Sequence, residues 1–176
     1  MKYVEKSQQE PAIYAKWRRE GGWDANSPKA GKLKQEIKEL LLKEQGFICC
    51  YCEEQIMAEN SHIEHLQPKG KYPNLKSQYG NLLCSCNYSK TCGYAKQDDE
   101  IRVTPLMNRC EDLFEYNNNG EIEGKNQDAS DTISILKLDS KRLQRARIGI
   151  IAAFLSVDGY DLIGIRRLGT GLSETG

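Results

Sequence analysis

Two histidines and seven cysteines carry the chemistry open to this 176-residue chain. Both histidines lie in His62-Ile63-Glu64-His65, with Pro68 just after. Histidine is the side chain best matched to proton transfer near neutral pH. A neighbouring carboxylate can hold a hard divalent cation. Together these are parts for metal-assisted hydrolysis: one group takes a proton from water while the metal stabilises charge on phosphate. The bland alternative is a solvated polar strand end. Neighbours on a regular strand point to opposite faces, so Glu64 and His65 share a site only where the strand twists or ends. Pro68 is consistent with an ending strand.

The cysteines flank that motif. Cys49-Cys50-Tyr51-Cys52 contains a C-x-x-C pair, Cys49 with Cys52, which lets two thiolates reach one tetrahedral metal from a tight turn. Further on come Cys84-Ser85-Cys86 and then Cys92. The second pair is Cys84 with Cys86 on local grounds, or Cys86 with Cys92. Four thiolates close the shell, so such a zinc is structural. The competing readings are buried or incidental thiols and a mixed shell in which His62 replaces a cysteine. Clustering around both histidines favours a metal. Disulfides are the less expected use, because the charged start of the chain lacks a signal-peptide stretch and points to the reducing cytoplasm.

The elements that must position these residues are legible on either side. Residues 1–46 read as an extended arm, a short helix and then a firm helix. Ser27 caps the firm helix, Pro28 opens it, Leu33, Ile37, Leu40 and Leu41 recur at helical spacing, and Gly46 ends it. Residues 47–103 hold the metal and histidine chemistry, closing with a short strand at Ile101–Val103. In residues 104–158, Asn117-Asn118-Asn119-Gly120 signals a hairpin between 113–116 and 121–123. A helix capped by Asp128 or Ser130 then carries Ile133, Leu136 and Ile135. Another, capped by Asp139 or Ser140, carries Leu143, Ala146, Ile150, Ile151 and Phe154. The Gly-rich tail, 159–176, stays unassigned.

Composition sets outer limits. Formal net charge is zero, so nucleic-acid binding cannot rest on a basic field over the whole chain. No apolar run is long enough to span a membrane.

Over Cys49-Cys50-Tyr51-Cys52-Glu53, Ile63-Glu64-His65 with Pro68-Lys69, Tyr79-Gly80-Asn81-Leu82-Leu83, and Cys86 through Cys92 to Lys96, the chain resembles the HNH endonucleases. These are ββα-metal nucleases. More narrowly, it is similar to the PtuB-type HNH subunits of Septu and retron-linked anti-phage systems. Counterparts there include the opening Met-Lys-Tyr, the Gln-Gly-Phe-Ile-Cys-Cys-Tyr-Cys-Glu run and Leu136-Lys137-Leu138-Asp139.

The resemblance implies an α+β fold: a small ββα-metal core with a four-cysteine zinc knuckle, surrounded by helices. It implies that His65 is the general base, Glu64 a ligand of a catalytic Mg²⁺ or Mn²⁺, and Asn81 the brace between the two strands. It implies Cys49, Cys52, Cys86 and Cys92 as ligands of a structural Zn²⁺. Many such nucleases carry His, Asn or Asp just after the last zinc cysteine, as a second metal ligand. Here that place is Gly93, so Asn87, Tyr94 or water is expected to substitute, and His62 joins the candidate catalytic group. Lys69, Lys71, Lys76, Lys90 and Lys96 are candidate phosphate contacts, and Tyr72 and Tyr79 candidate base-stacking rings.

The expected function is a metal-dependent endonuclease acting on nucleic acid, with DNA favoured over RNA, as effector subunit of an anti-phage complex with a PtuA-type ATPase. A non-catalytic, zinc-finger-like binding module is the alternative.

Overall fold

A computed structural model describes residues 1–7, 9–157, 160–161 and 166–167. The tail assigned to 159–176 lies outside the described residues, apart from two short paired segments.

Helix α1 spans Ala12–Arg19 and α2 spans Pro28–Glu44. The α2 start is set locally. The Ser27 side chain accepts a hydrogen bond from the Ala30 backbone N–H, and Pro28 occupies the first turn, where a missing N–H costs nothing. Its end is equally local. Gly46 has φ +62°, Phe47 N–H reaches back to the Leu42 carbonyl, and Gly46 N–H reaches Lys43. This paired closure is the Schellman arrangement that a glycine permits. Between the caps, Ala30, Leu33, Ile37, Leu41 and Leu42 are buried on one face.

The centre of the molecule is a ββα unit. Strand β1 (Ser61–His65) pairs antiparallel with β2 (Leu82–Cys86), in register Ser61 with Cys86 and His65 with Leu82. The short helix α3 (Cys92–Lys96) follows and is tied to β2 by the Gly93 N–H bonding Ser85 Oγ at 3.1 Å. Leu82 and Leu83 of β2 are fully buried, in one hydrophobic cluster with Tyr14, Trp17, Ile37 and Leu41 of the N-terminal helices. Burial of large side chains of this kind stabilises by about 1.5–3 kcal/mol each. The α+β class and a ββα core beside a four-cysteine cluster are therefore as the sequence implies.

A second hairpin, β3 (Phe114–Tyr116) with β4 (Ile122–Gly124), surrounds the expected turn. Asn117 Oδ1 accepts from the N–H groups of Asn119 and Glu121, and Gly120 takes φ +70°. Helices α4 (Gln127–Leu136) and α5 (Lys141–Val157) follow, and two-residue strands β5 (Tyr160–Asp161) and β6 (Arg166–Arg167) pair beyond them.

Three expectations need correction. The α4 cap is Asn126, whose side chain accepts from Ala129 N–H, rather than Asp128 or Ser130. Ile101–Val103 forms no strand. Both ends are buried, and the Val103 N–H bonds Thr132 Oγ1 instead of a neighbouring strand. On α5, Leu143 is buried but Ile150 and Phe154 are 67% and 69% exposed, so its apolar face is only partly covered. Among the described residues no helix is long and apolar enough to cross a membrane.

Candidate active site and metal centre

The cysteine question is decided by which sulfurs converge. Cys49, Cys52, Cys86 and Cys92 bring their Sγ atoms within 4.8 Å of one another. Cys52 and Cys86 are 4.0 Å apart. Tetrahedral zinc with Zn–S bonds of about 2.3 Å requires sulfurs roughly 3.8 Å apart, so the four fit that ion. Cys84 does not join them; its thiol faces the Lys38 carbonyl on α2. Nor does His62 replace a cysteine. Crowding by neighbouring sulfurs pushes the Cys52 and Cys92 thiols far up. A dication in their midst would reverse that preference and hold them as thiolates. Cys92 takes φ +57°, a left-handed conformation that costs a non-glycine residue about 1–2 kcal/mol.

Beside this cluster, strand alternation puts His62 and Glu64 on one face of β1, turned to α3. His62 Nε2 lies 3.3 Å from Glu64 Oε2. His62 Nδ1 is 3.1 Å from Asn87 Oδ1, and the Tyr94 ring packs edge-on against the imidazole. Glu64 is only 7% exposed. Its other oxygen, Oε1, receives the Lys96 ammonium at 2.9 Å and the Tyr51 hydroxyl at 3.1 Å. Burial by itself would raise the Glu64 carboxyl, but His62 and Lys96 outweigh it and hold the group below its ordinary value. Burial would lower His62, yet Glu64 and Asn87 hold it above its ordinary value. Each group favours the charged form of the other.

His65 ends β1 and is oriented separately. Its Nε2 is 3.0 Å from the Lys76 carbonyl, which can only accept, so Nε2 carries the proton and Nδ1 is the free base. Trp23 packs on the ring at 4.8 Å, at the end of an aromatic chain running through Trp17 and Tyr14. Burial, with lesser help from the Lys69 and Lys96 charges, holds His65 below the ordinary histidine value. The strand does end where the sequence suggested. His62, Glu64 and His65 line one open cleft with Lys69, Gly93 and Tyr94.

Asn81 acts at a distance from the cleft. Its amide accepts from Gln67 N–H and donates to the Gln67 and Leu75 carbonyls, bracing the loop between β1 and β2.

The proposed lysine patch disperses. Lys96 is 1% exposed and committed to Glu64 and the His65 carbonyl, because a one-turn helix places it on the same inward side as Cys92. Lys76 pairs with Asp24 and Lys71 with Glu100. Lys90 lines a separate hollow with Tyr88 and Arg142. Only Lys69 of the five borders the cleft as an exposed surface lysine. Tyr79 is a core residue against Tyr14, and Tyr72 bonds Glu100. Sequence reasoning missed Tyr51, Trp23 and the inward role of Lys96. The three-residue spacing of Gly93 and Lys96 was the available clue for the last.

A carboxylate oxygen and an imidazole nitrogen facing a gap on α3 suit a divalent cation. A Cβ on Gly93 would sit 2.5 Å from Glu64 Oε2 and 2.7 Å from His62 Nε2, so the space exists only because that residue is glycine.

The ββα unit beside a four-cysteine cluster is the arrangement that the resemblance to HNH-type nucleases implies. Comparison with known proteins points the same way. The chain is 28% identical over 129 residues to a Vibrio cholerae serotype O1 biovar El Tor protein, provisionally named the HNH endonuclease of retron Vc95; the match covers 65% of this chain and 63% of that protein. It is 31% identical over 115 residues to the Septu protein PtuB of Bacillus thuringiensis, covering 60% of this chain and 42% of that one. The chain thus matches less than two thirds of the length of each relative. No protein-family model matches it. The resemblance to HNH-type, PtuB-like nucleases read from the sequence is borne out.

Proposed function

We propose that the chain is a metal-dependent HNH endonuclease that hydrolyses nucleic-acid phosphodiesters, with DNA the favoured substrate. The carrying observation is that a buried carboxylate, held by Lys96 on one oxygen and facing His62 with the other, lines one cleft with a histidine whose Nε2 is fixed by a backbone carbonyl. In this reading His65 Nδ1 takes the proton from the attacking water. The Lys76 carbonyl holds the ring in the required tautomer, and Trp23 fixes its plane. Glu64 presents Oε2 to a catalytic Mg²⁺ or Mn²⁺ while Lys96 and Tyr51 hold Oε1. The cation, when bound, supplies electrostatic stabilisation of charge developing on the phosphate and the leaving oxygen. Lys69 contributes a phosphate contact. Cys49, Cys52, Cys86 and Cys92 hold a structural Zn²⁺ that fixes the two ends of the unit.

The names of the relatives support a role in anti-phage defence. On that footing the chain is the effector nuclease of a cytoplasmic complex, restrained by a PtuA-type ATPase. The absence of a ligand side chain at Gly93 is the observation that favours the other reading, a non-catalytic zinc-finger-like module.

A nicking assay on supercoiled DNA separates the two. The chain, alone and with the ATPase, is incubated with Mg²⁺, Mn²⁺ or EDTA, beside the His65→Ala variant. Cutting that needs the metal and His65 is expected. DNA binding without cutting under every condition would leave the binding module.

A further inference from the structure

We infer that His62 is the second protein ligand of the catalytic cation, and that Gly93 is glycine because the ion and its two ligands occupy the space a side chain would fill. This rests on the metal-dependent nuclease reading above.

Four observations converge. First, His62 and Glu64 are two apart on β1, so the pleat aims both at α3, and Nε2 and Oε2 stand 3.3 Å apart. Two ligands at right angles on a cation with bonds of about 2.1 Å are roughly 3.0 Å apart. The pair needs only a slight adjustment.

Second, the hydrogen bonding exposes the correct atoms. Asn87 Oδ1 accepts from His62 Nδ1–H, which leaves Nε2 to face a carboxylate oxygen, sharing a proton with it until a cation displaces that proton and takes the lone pair. Two acceptors facing each other repel unless a proton or a cation lies between them. Metal-bound histidines carry this same kind of outer partner on the second ring nitrogen. Lys96 and Tyr51 occupy Glu64 Oε1, so Oε2 is the oxygen left to bind.

Third, Gly93 has no conformational reason to be glycine. It is absent from the residues with positive φ. Its need is spatial: an added Cβ would approach Glu64 Oε2, His62 Nε2 and Glu64 Cδ at 2.5, 2.7 and 3.0 Å. Fourth, the His62 side chain keeps 27% of its surface exposed, and the cleft is open, so water and phosphate oxygens can complete the shell.

The ligand has therefore moved from helix to strand. Asn87 and Tyr94, the candidates for that place, instead orient the His62 ring from its far nitrogen and its edge.

The test is Mn²⁺ binding to the zinc-loaded chain, followed by calorimetry and by electron spin echo, which detects a coordinated imidazole nitrogen. Wild type is expected to bind one Mn²⁺ with a ¹⁴N coupling. His62→Ala should lose the coupling and weaken binding at least about tenfold, with zinc content and circular dichroism unchanged. His65→Ala should keep both. Gly93→Ala should lose the site by filling it, and Asn87→Ala should weaken binding by about tenfold. Mn²⁺ bound by wild type without nitrogen coupling, or unchanged in His62→Ala while Glu64→Gln loses it, would overturn the inference and leave the nuclease reading standing. Absence of both Mn²⁺ binding and metal-dependent cutting would remove both.

Discussion

At the scale of single residues, the proposed mechanism divides the atoms of each group between support and reaction. Glu64 gives one oxygen to Lys96 and Tyr51 and keeps one for the cleft. His65 gives Nε2 to a backbone carbonyl and keeps Nδ1. His65→Ala should lower the cleavage rate by about a hundred- to ten-thousand-fold, measured as single-turnover kcat, with fold and zinc content intact. The sign of its pH dependence follows from its surroundings. Burial and nearby lysines favour the neutral ring, and a cation on Glu64 pushes the same way. The rate should therefore fall on acidification with a midpoint below 6.5, the ordinary histidine value; a midpoint above it would contradict this assignment. Lys96→Met removes a buried ammonium that links the carboxylate to the His65 carbonyl. We expect kcat to fall by about ten- to a hundredfold with KM for DNA little changed, since the side chain is positioned inward and away from phosphate. A large rise in KM alone would indicate a phosphate contact instead.

Among the elements, two devices hold the parts in place. The loop between β1 and β2 hangs on the amide of Asn81, which makes three hydrogen bonds to backbone while 7% exposed. Asn81→Ala strands those backbone groups and should cost about 2–3 kcal/mol, read as a lower urea midpoint. Because the same loop carries the Lys76 carbonyl, cleavage should fall as well. The second device joins α5 to the cysteine turn. Arg142 forks onto both oxygens of Glu54 at 2.7 Å and covers the Tyr88 ring at 3.5 Å. The pair is partly exposed, which discounts its worth. Arg142→Ala should cost about 1–2 kcal/mol in thermal unfolding, much of it from lost packing.

For the whole molecule, the cysteine cluster, once loaded with an ion, would close a short, loop-rich unit. Its four sulfurs come from the turn before β1, the end of β2 and the start of α3, so one ion would pin all three. Purified protein should carry about one zinc per chain. Cys92→Ser should lose the metal and unfold or aggregate, since such a site contributes on the order of 10 kcal/mol to folding. Cys84→Ser and Cys110→Ser should keep it, which elemental analysis of the variants will show. Retention of zinc by Cys92→Ser with loss in Cys84→Ser would reverse the pairing.

What the sequence determined by itself was whatever rests on neighbours along the chain. The α2 caps at Ser27 and Gly46 and the Asn-Gly hairpin are interactions within a few residues and stand as read, as does the buried stripe of α2 except that Leu42 is buried in place of Leu40. The Cys49–Cys52 knuckle and the His-x-Glu-His motif likewise announce their chemistry through residue type and spacing. Other questions depended on segments far apart. Whether Cys84 or Cys92 completes the cluster turns on which thiol faces α2 and which faces Cys49. Lys96 reads as a surface lysine until α3 carries it beneath β1, where the Glu64 charge and the His65 carbonyl make its burial tolerable. Gly93 reads as a missing ligand until the pleat of β1 brings His62 and Glu64 against it. Only the tertiary structure could show what surrounds that gap, because the pleat and helix packing that bring two side chains and a bare backbone together leave no local trace in the sequence.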